Sequence, residues 1–426
     1  MHFRARLVSP AAPHACALCS HVQKRVCNCR AHAWGKTRNP SRKRAPGAQK
    51  AGGAGEQGAM AGVQNLSYIV SVIFILRMVS ENIRKHGFLM KLPLEDVSLE
   101  EVLYFLKTVA SSLLRCAASF VLARRSRAAA GACLVAGELY VAYVNLVHIK
   151  HMYFSACSLT TSLYFLAKMV SFLAFHSRCS SAESTCTPGH FVYFMLAPTI
   201  SFKTHYRTRR MLSRREFVLL AAKFAGSFLL LLFVIDQLSV PTIDRIQASR
   251  GAYEFAENFV ILSVCTVMMF WLFFYMFFCC LLEMFAGLTM FGDGEFYGAW
   301  WNSQTVKEFW STWNRLVHIW FRTHIFLPMV ERGLSKKIAS FTCFLVSGVL
   351  HEYVISFATK IFAGWTFLGF VAQVLLMETT DRIALRFPRC GNFVFWCIFS
   401  IIGQPACIWL HYRSLYFEKQ RLLAGH

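Results

Sequence analysis

Apolar residues in this chain gather into long runs instead of alternating or recurring on one face of a surface helix. From Leu66 onward the runs fall at about 66–79, 101–123, 128–149, 152–175, 215–236, 257–283, 338–361, 364–380 and 392–411. A helix needs roughly 20 mainly apolar residues to cross about 30 Å of hydrocarbon, and it pairs its own backbone groups as it does so. The pattern therefore predicts an all-α multi-spanning membrane protein with about nine transmembrane helices. The sixth run is the cleanest, with no charge between Glu257 and Glu283, whereas the first and eighth are short. Between the sixth and seventh lies a polar stretch, about 291–337, that carries Trp300, Trp301, Trp310, Trp313 and Trp320 among charges. Within 306–321, Phe309, Trp313 and Trp320 recur near helical spacing, which predicts an amphipathic helix at the cytosolic membrane surface. Composition alone fits both an aromatic belt that anchors this loop and a loop that forms part of a site.

Charge changes the picture in one respect. The formal net charge is +23, yet only 16% of residues are charged and 56% are hydrophobic. A nucleic-acid reader would not bury most of its length in hydrocarbon, so the excess is read as topology information and attraction to anionic lipid heads. Residues 1–59 are basic and contain a single acid, Glu56. They form a candidate disordered or processed arm, with residues 60–426 as the membrane domain and Met60 as an alternative start. The arm, Arg124/Arg125/Arg127, the cluster Lys203/Arg207/Arg209/Arg210/Arg214/Arg215 and Arg382/Arg386/Arg389 share one side if there are nine spans. That side is expected to be the cytosol, with a cytosolic N-terminus and a lumenal C-terminus. Cys16, Cys19, Cys27 and Cys29 lie among His14, His21 and His32, but their spacing matches no standard zinc finger. Cys116, Cys133, Cys265, Cys279, Cys280, Cys343, Cys397 and Cys407 fall inside apolar runs and read as small hydrophobes.

Candidate chemistry centres on His351, deep in the seventh run and followed by Glu352. An ionisable group at that depth is costly and faces either a polar cavity or another helix, so a functional base and a hydrogen-bonded structural histidine both stand. A neutral imidazole can take a proton from an alcohol at neutral pH. Glu138, Lys168 and Lys223 also sit in spans and read as interhelix pairs or snorkelling groups. No G-x-S-x-G elbow, H-E-x-x-H pair, Walker loop, Rossmann fingerprint or HxxxxD pair appears. Serine hydrolysis, zinc proteolysis and nucleotide-driven transport thus lack their usual marks.

Phe296-Tyr297-Gly298-Ala299-Trp300-Trp301-Asn302, the stretch Phe309 to Trp320, and His351-Glu352-Tyr353 together resemble the signature motifs of the membrane-bound O-acyltransferase superfamily. Ala197-Pro198-Thr199, Val240-Pro241-Thr242 and Phe291-Gly292-Asp293 extend the resemblance, which runs from Leu66 onward and excludes the arm. Pro328-Met329, Arg332-Gly333, Ser335-Lys336 and Ile402-Gly403-Gln404-Pro405 are similar to the type-1 diacylglycerol O-acyltransferase branch and less so to sterol O-acyltransferases. Two positions depart from the pattern: Ala299 stands where the motif has Asp, and Leu316 where Pro is usual.

The resemblance implies transfer of a fatty acyl group from acyl-CoA to the hydroxyl of diacylglycerol, in the endoplasmic reticulum membrane, around an intramembrane reaction chamber. It implies His351 as catalytic base acting with Asn314. Trp310, Trp313, His318, Lys336 and Tyr416 are then candidate acyl-CoA contacts, although simple topology puts Tyr416 near the lumen. Phe296, Tyr297, Trp300, Trp301 and Asn302 form the motif loop, and Ser347, Glu352, Gln373 and Gln404 line the chamber. No metal or other cofactor is called for; the partners are the two substrates, membrane lipids and a second or further copies of the chain as homodimer or homotetramer. Sterol or long-chain alcohol acylation is the rival within the class. A lipid transporter would be expected to carry internal repeats, and none is evident; a catalytically silent lipid-binding regulator is the reading that Ala299 keeps open.

A carboxylate at 299 is suited to fixing the motif loop by hydrogen bonds. Ala299→Asp is therefore expected to lower KM for acyl-CoA in a membrane assay, and an unchanged KM and kcat would mark the departure as neutral.

Overall fold

The computed structural model describes residues 54–91, 97–178, 186–387 and 390–424. The candidate zinc cluster and most of the basic arm lie outside them; residues 54–59 are the opening turns of the first helix. The chain divides into a short unit ending at Ile73 and a unit from Phe74 onward, which holds every site residue considered below. Among the described residues the structure is helical, with one isolated antiparallel bridge between Thr208 and Phe291.

The principal helices are α1 (Ala54–His86), α2 (Leu99–Ala123), α3 (Arg127–Val147), α4 (Met152–Arg178) and α5 (Pro188–Leu196). They are followed by α6 (Arg214–Phe233), α7 (Val240–Ala248), α8 (Ala252–Phe274), α9 (Leu282–Leu288), α10 (Val306–Trp313), α11 (Arg315–Phe321) and α12 (Leu327–Glu331). The chain closes with α13 (Lys336–Thr359), α14 (Trp365–Arg386), α15 (Gly391–Cys397) and α16 (Gln404–Ala424). Their starts are chemically specified. Ser98 and Ser213 each form a reciprocal capping box, with Glu101 and Glu216 respectively, and Thr305 and Ser335 cap α10 and α13.

Eight helices, among the described residues, are long and apolar enough to cross a membrane. The predicted eighth run forms α14, but its last turns carry Glu378, Asp381, Arg382 and Arg386, which places it outside that set. Several long helices contain a π-helical segment: Val234–Ser239, Tyr275–Leu281, Arg322–Phe326 and Ile398–Gly403. Three of these lead directly into a proline, at Pro241, Pro328 and Pro405. Proline lacks an N–H and its ring crowds the carbonyl four residues back, so a widened turn absorbs both defects.

The core is aromatic. Phe274, Phe278, Phe291, Phe296, Trp300, Phe309 and Phe395 are all buried in one cluster with Phe191, Phe194 and Met169. Cys116, Cys265 and Cys280 are buried as small hydrophobes, and Cys133, Cys279, Cys343, Cys397 and Cys407 are half-buried. Lys168, fully buried on α4, donates to the carbonyls of Phe194 (2.6 Å), Met195 (2.8 Å) and Ala197 (2.7 Å), where α5 ends. A cation at a helix C-terminus meets unpaired carbonyls and the negative end of the dipole. Close packing also depends on glycine: at Gly292 an added Cβ would lie 3.0 Å from the backbone carbonyl of Arg207. Its amide donates to that same carbonyl at 2.8 Å. Gly292→Ala is expected to destabilise the protein by about 1–3 kcal/mol through overpacking, read as a lower Tm in detergent; an unchanged Tm would show that the crossing yields.

Candidate functional site

The 291–305 loop is fixed at several points. Asp293 pairs with Lys203 at 2.8 Å, the Gly298 amide donates to Thr312 O (2.7 Å), and the Arg315 amide donates to the carbonyl of the buried Phe296 (2.9 Å). Asn392 Nδ2 donates to the carbonyls of Trp301 (3.0 Å) and Ser303 (2.7 Å), and Trp396 Nε1 to that of Trp301 (3.2 Å). Ala299 is exposed and its carbonyl accepts from the Asn302 amide at 3.1 Å, so the loop takes this shape without a carboxylate at 299. Tyr297 contacts the Cys279 thiol (3.6 Å) beside the π-helical segment, and that contact together with burial pushes its phenol up to about 12.

The tryptophans divide in role. Trp300 is fully buried, and Trp313 stacks on Phe270 with ring centroids 4.3 Å apart while also meeting Trp300 and Phe309. Both belong to the core, and Trp301 and Asn302 are exposed beside it. The expected amphipathic helix over 306–321 is two helices, broken at Asn314, whose backbone leaves the helical region (φ −132°, ψ 89°). Asn314 Oδ1 accepts the Val317 amide at 3.2 Å and so starts α11, which leaves its Nδ2 hydrogens as the free part of the side chain.

His351 sits on α13, and its Nδ1 lies 2.7 Å from the carbonyl oxygen of Ser347. A carbonyl only accepts, so Nδ1 carries a hydrogen, and in the neutral form of the ring Nε2 is the unprotonated nitrogen. One ring face packs on Phe370 at 4.4 Å, and the residue is otherwise exposed. Phe370 also meets Trp310 at 5.6 Å, and Trp310 Nε1 donates to Gln373 Oε1 at 2.6 Å. Trp310, Gln373, Phe370 and His351 thus form one contiguous group between α10, α14 and α13. Gly348, one turn before His351, lets α14 approach: an added Cβ would stand 3.0 Å from Phe370 Cβ. Among the described residues no hydrogen bond joins Asn314 to His351.

Other expected site residues fall elsewhere. Glu352 accepts from the amides of Gly364 (2.8 Å), Thr366 (3.0 Å) and Phe367 (3.1 Å) and from Ser356 Oγ (2.7 Å). Its carboxylate therefore caps the start of α14, after a turn in which Gly364 takes φ +77°. Lys336 is exposed at the first position of α13, about 22 Å along the axis from His351 at 1.5 Å per residue. Tyr416 is exposed on α16 against Phe417, about 18 Å along from Gln404 by the same rise. Gln404 lines a cavity of about 150 Å³ with Phe270, Trp271, Trp301, Trp396 and Phe399, and its Oε1 is buried without a protein partner. Phe370 was not foreseen, although it lies three residues before Gln373 on the same helical face. Arg115, which shares the second apolar run with Glu101 and Lys107, was not singled out either.

The sequence profile of the membrane-bound O-acyltransferase family, MBOAT, matches residues 139–410. Diacylglycerol O-acyltransferase 1-1 of Oryza sativa subsp. japonica is 35% identical over 54% of this chain and 43% of its own length. Diacylglycerol O-acyltransferase 1 of Arabidopsis thaliana is 36% identical over 53% and 44%. Diacylglycerol O-acyltransferase 1 of Dictyostelium discoideum is 33% identical over 53% and 37%. The chain spans less than half the length of these curated relatives.

His318, on α11, is half-buried, and burial together with the nearby Arg322 and Arg315 holds its imidazole below the usual value of about 6.5. The unfolded chain thus takes up this proton more readily than the folded one, so stability falls as pH drops below about 6.5. His318→Gln is expected to flatten the loss of Tm between about pH 7 and about pH 5; an identical acid slope would remove His318 as its source.

Proposed function

Because this chain belongs to the membrane-bound O-acyltransferase family, we propose that it transfers a fatty acyl group from acyl-CoA to the free hydroxyl of diacylglycerol, forming triacylglycerol and CoA. The observation that carries the proposal is the tautomer of His351, whose Nδ1–H is committed to the Ser347 carbonyl. Nε2 takes the hydroxyl proton as the alcohol oxygen attacks the thioester carbon, a step to which a placed base contributes roughly 10²- to 10⁴-fold. The tetrahedral intermediate then expels the CoA thiolate, which recovers the proton from the imidazolium, so the ring ends as it began. Asn314, with Oδ1 held by the Val317 amide, offers Nδ2 hydrogens to the developing oxyanion, a role worth roughly 10²- to 10³-fold.

The diacylglycerol acceptor is supported by the relatives of that name and by solubility, since both acyl chains and acceptor dissolve in lipid while CoA is a polar anion. Trp310 and Gln373, next to the base through Phe370, and the half-buried His318 are the thioester-side contacts in this reading. The proposed setting is the endoplasmic reticulum membrane with a cytosolic N-terminus. Counting α14 as a crossing puts the C-terminus in the lumen and keeps the basic loops together on the cytosolic side. The proposed assembly is a homodimer or homotetramer.

Membranes containing the protein, given labelled acyl-CoA with diacylglycerol, cholesterol or a fatty alcohol, are expected to form labelled triacylglycerol in preference to either ester. His351→Ala is expected to reduce that rate at least about 10²-fold, and Asn314→Ala to lower kcat with little change in KM for acyl-CoA. Wild-type turnover by His351→Ala would remove the base from the mechanism, and ester formed mainly on cholesterol would replace the acceptor.

A further inference from the structure

Successive residues of a helix point about 100° apart, so His351, Glu352 and Tyr353 face three different neighbours. His351 meets Phe370, and Glu352 takes the amides at the start of α14. Tyr353 reaches in a third direction, where its hydroxyl donates to Glu138 Oε1 at 2.9 Å. The other oxygen of Glu138 accepts from Arg115 Nη1 (2.6 Å) and from Ser162 Oγ (2.7 Å). Arg115 Nη2 donates in turn to the Ser162 carbonyl (2.6 Å) and hydroxyl (2.8 Å). The side chains of Arg115 and Glu138 are 3% and 16% exposed. Gly137 leaves room for the arginine stem, since a Cβ there would stand 2.7 Å from Arg115 Cδ.

This network joins α2, α3 and α4 to α13, and the proposed chemistry uses none of its groups. An ion pair buried among apolar helices is costly, and a buried pair is poor evidence of stabilisation. Its geometry nevertheless does something specific: it holds a charged acceptor at a fixed depth and hooks the helix of the base onto it, two residues beyond the imidazole. His351 and Tyr353 lie roughly 200° apart around the axis, so loosening the hook lets the helix turn and swings Nε2 away from its line.

We infer that Arg115, Glu138 and Tyr353 are positioning residues that fix the rotation of α13 and thereby the aim of His351. The inference rests on the acyl-transfer reading above. A misplacement of about 1 Å in a reacting group costs on the order of 10²-fold, so a partial loosening is expected to show in kcat, whereas acyl-CoA binding stays as it was.

The test uses purified full-length protein, with kcat and KM for acyl-CoA measured per monodisperse enzyme and Tm recorded for Tyr353→Phe, Glu138→Gln and the double variant. Tyr353→Phe is expected to lower kcat about tenfold with KM within about twofold. Glu138→Gln is expected to lower it at least as much, and the double variant no further than Glu138→Gln alone. The inference is overturned if folded Tyr353→Phe keeps wild-type kcat whatever its Tm, if KM rises while kcat holds, or if the two losses multiply. Should Glu138→Gln fail to fold, Tyr353→Phe decides alone. Absence of acyl transfer by the wild-type protein would instead defeat the proposed function, a different reading of the same assay.

Discussion

Hydrocarbon offers no hydrogen bonds, and the whole arrangement follows from that constraint. Many polar groups placed among the apolar helices find a partner within the protein, although Gln404 Oε1 does not. Arg115 and Glu138 neutralise each other, and Lys168 spends its three hydrogens on three carbonyls. Gln237 bridges Asn82, Gly87 and Leu89. Glu352 gathers the free amides at a helix start. These are connections between elements as much as repairs, because a buried polar group with one available partner fixes which helix lies beside which.

The gross fold was legible because the lipid solvent makes length and apolarity nearly sufficient to specify a spanning helix. Legibility failed where a single side chain competes with the helix. Phe309, Trp313 and Trp320 follow one helical period, so nothing in that period signals that Asn314 leaves it and opens a second helix. The π-helical segments were likewise invisible as pattern, although Pro241, Pro328 and Pro405 marked where three of them end. Charge inside the apolar runs was the more informative signal. It drew attention to His351 and Glu138, and applied evenly it would have included Arg115.

The site was legible in part for a related reason. The family resemblance brought Trp310, Gln373 and His351 together as site candidates, but only the packing shows that Phe370 links them. Trp313 and Trp300 illustrate the opposite case: large aromatic side chains in a signature stretch whose contacts are with Phe270, Phe274 and Phe309. They build the floor on which the loop rests. Asn392 and Trp396 secure the same loop from a later helix, a contribution made by residues outside every motif.

The support for His351 comes from a peptide carbonyl of its own helix, whereas many enzymatic histidines lean on a carboxylate. An uncharged support orients the ring but supplies no counter-charge to an imidazolium. In the proposed reaction the anions formed alongside that cation are the tetrahedral oxyanion and then the departing sulfur, and the positive ring lasts only until that sulfur takes its proton. Proton uptake and thioester cleavage are thereby bound into one passage, and water that wandered in would find a base with no standing incentive to ionise it.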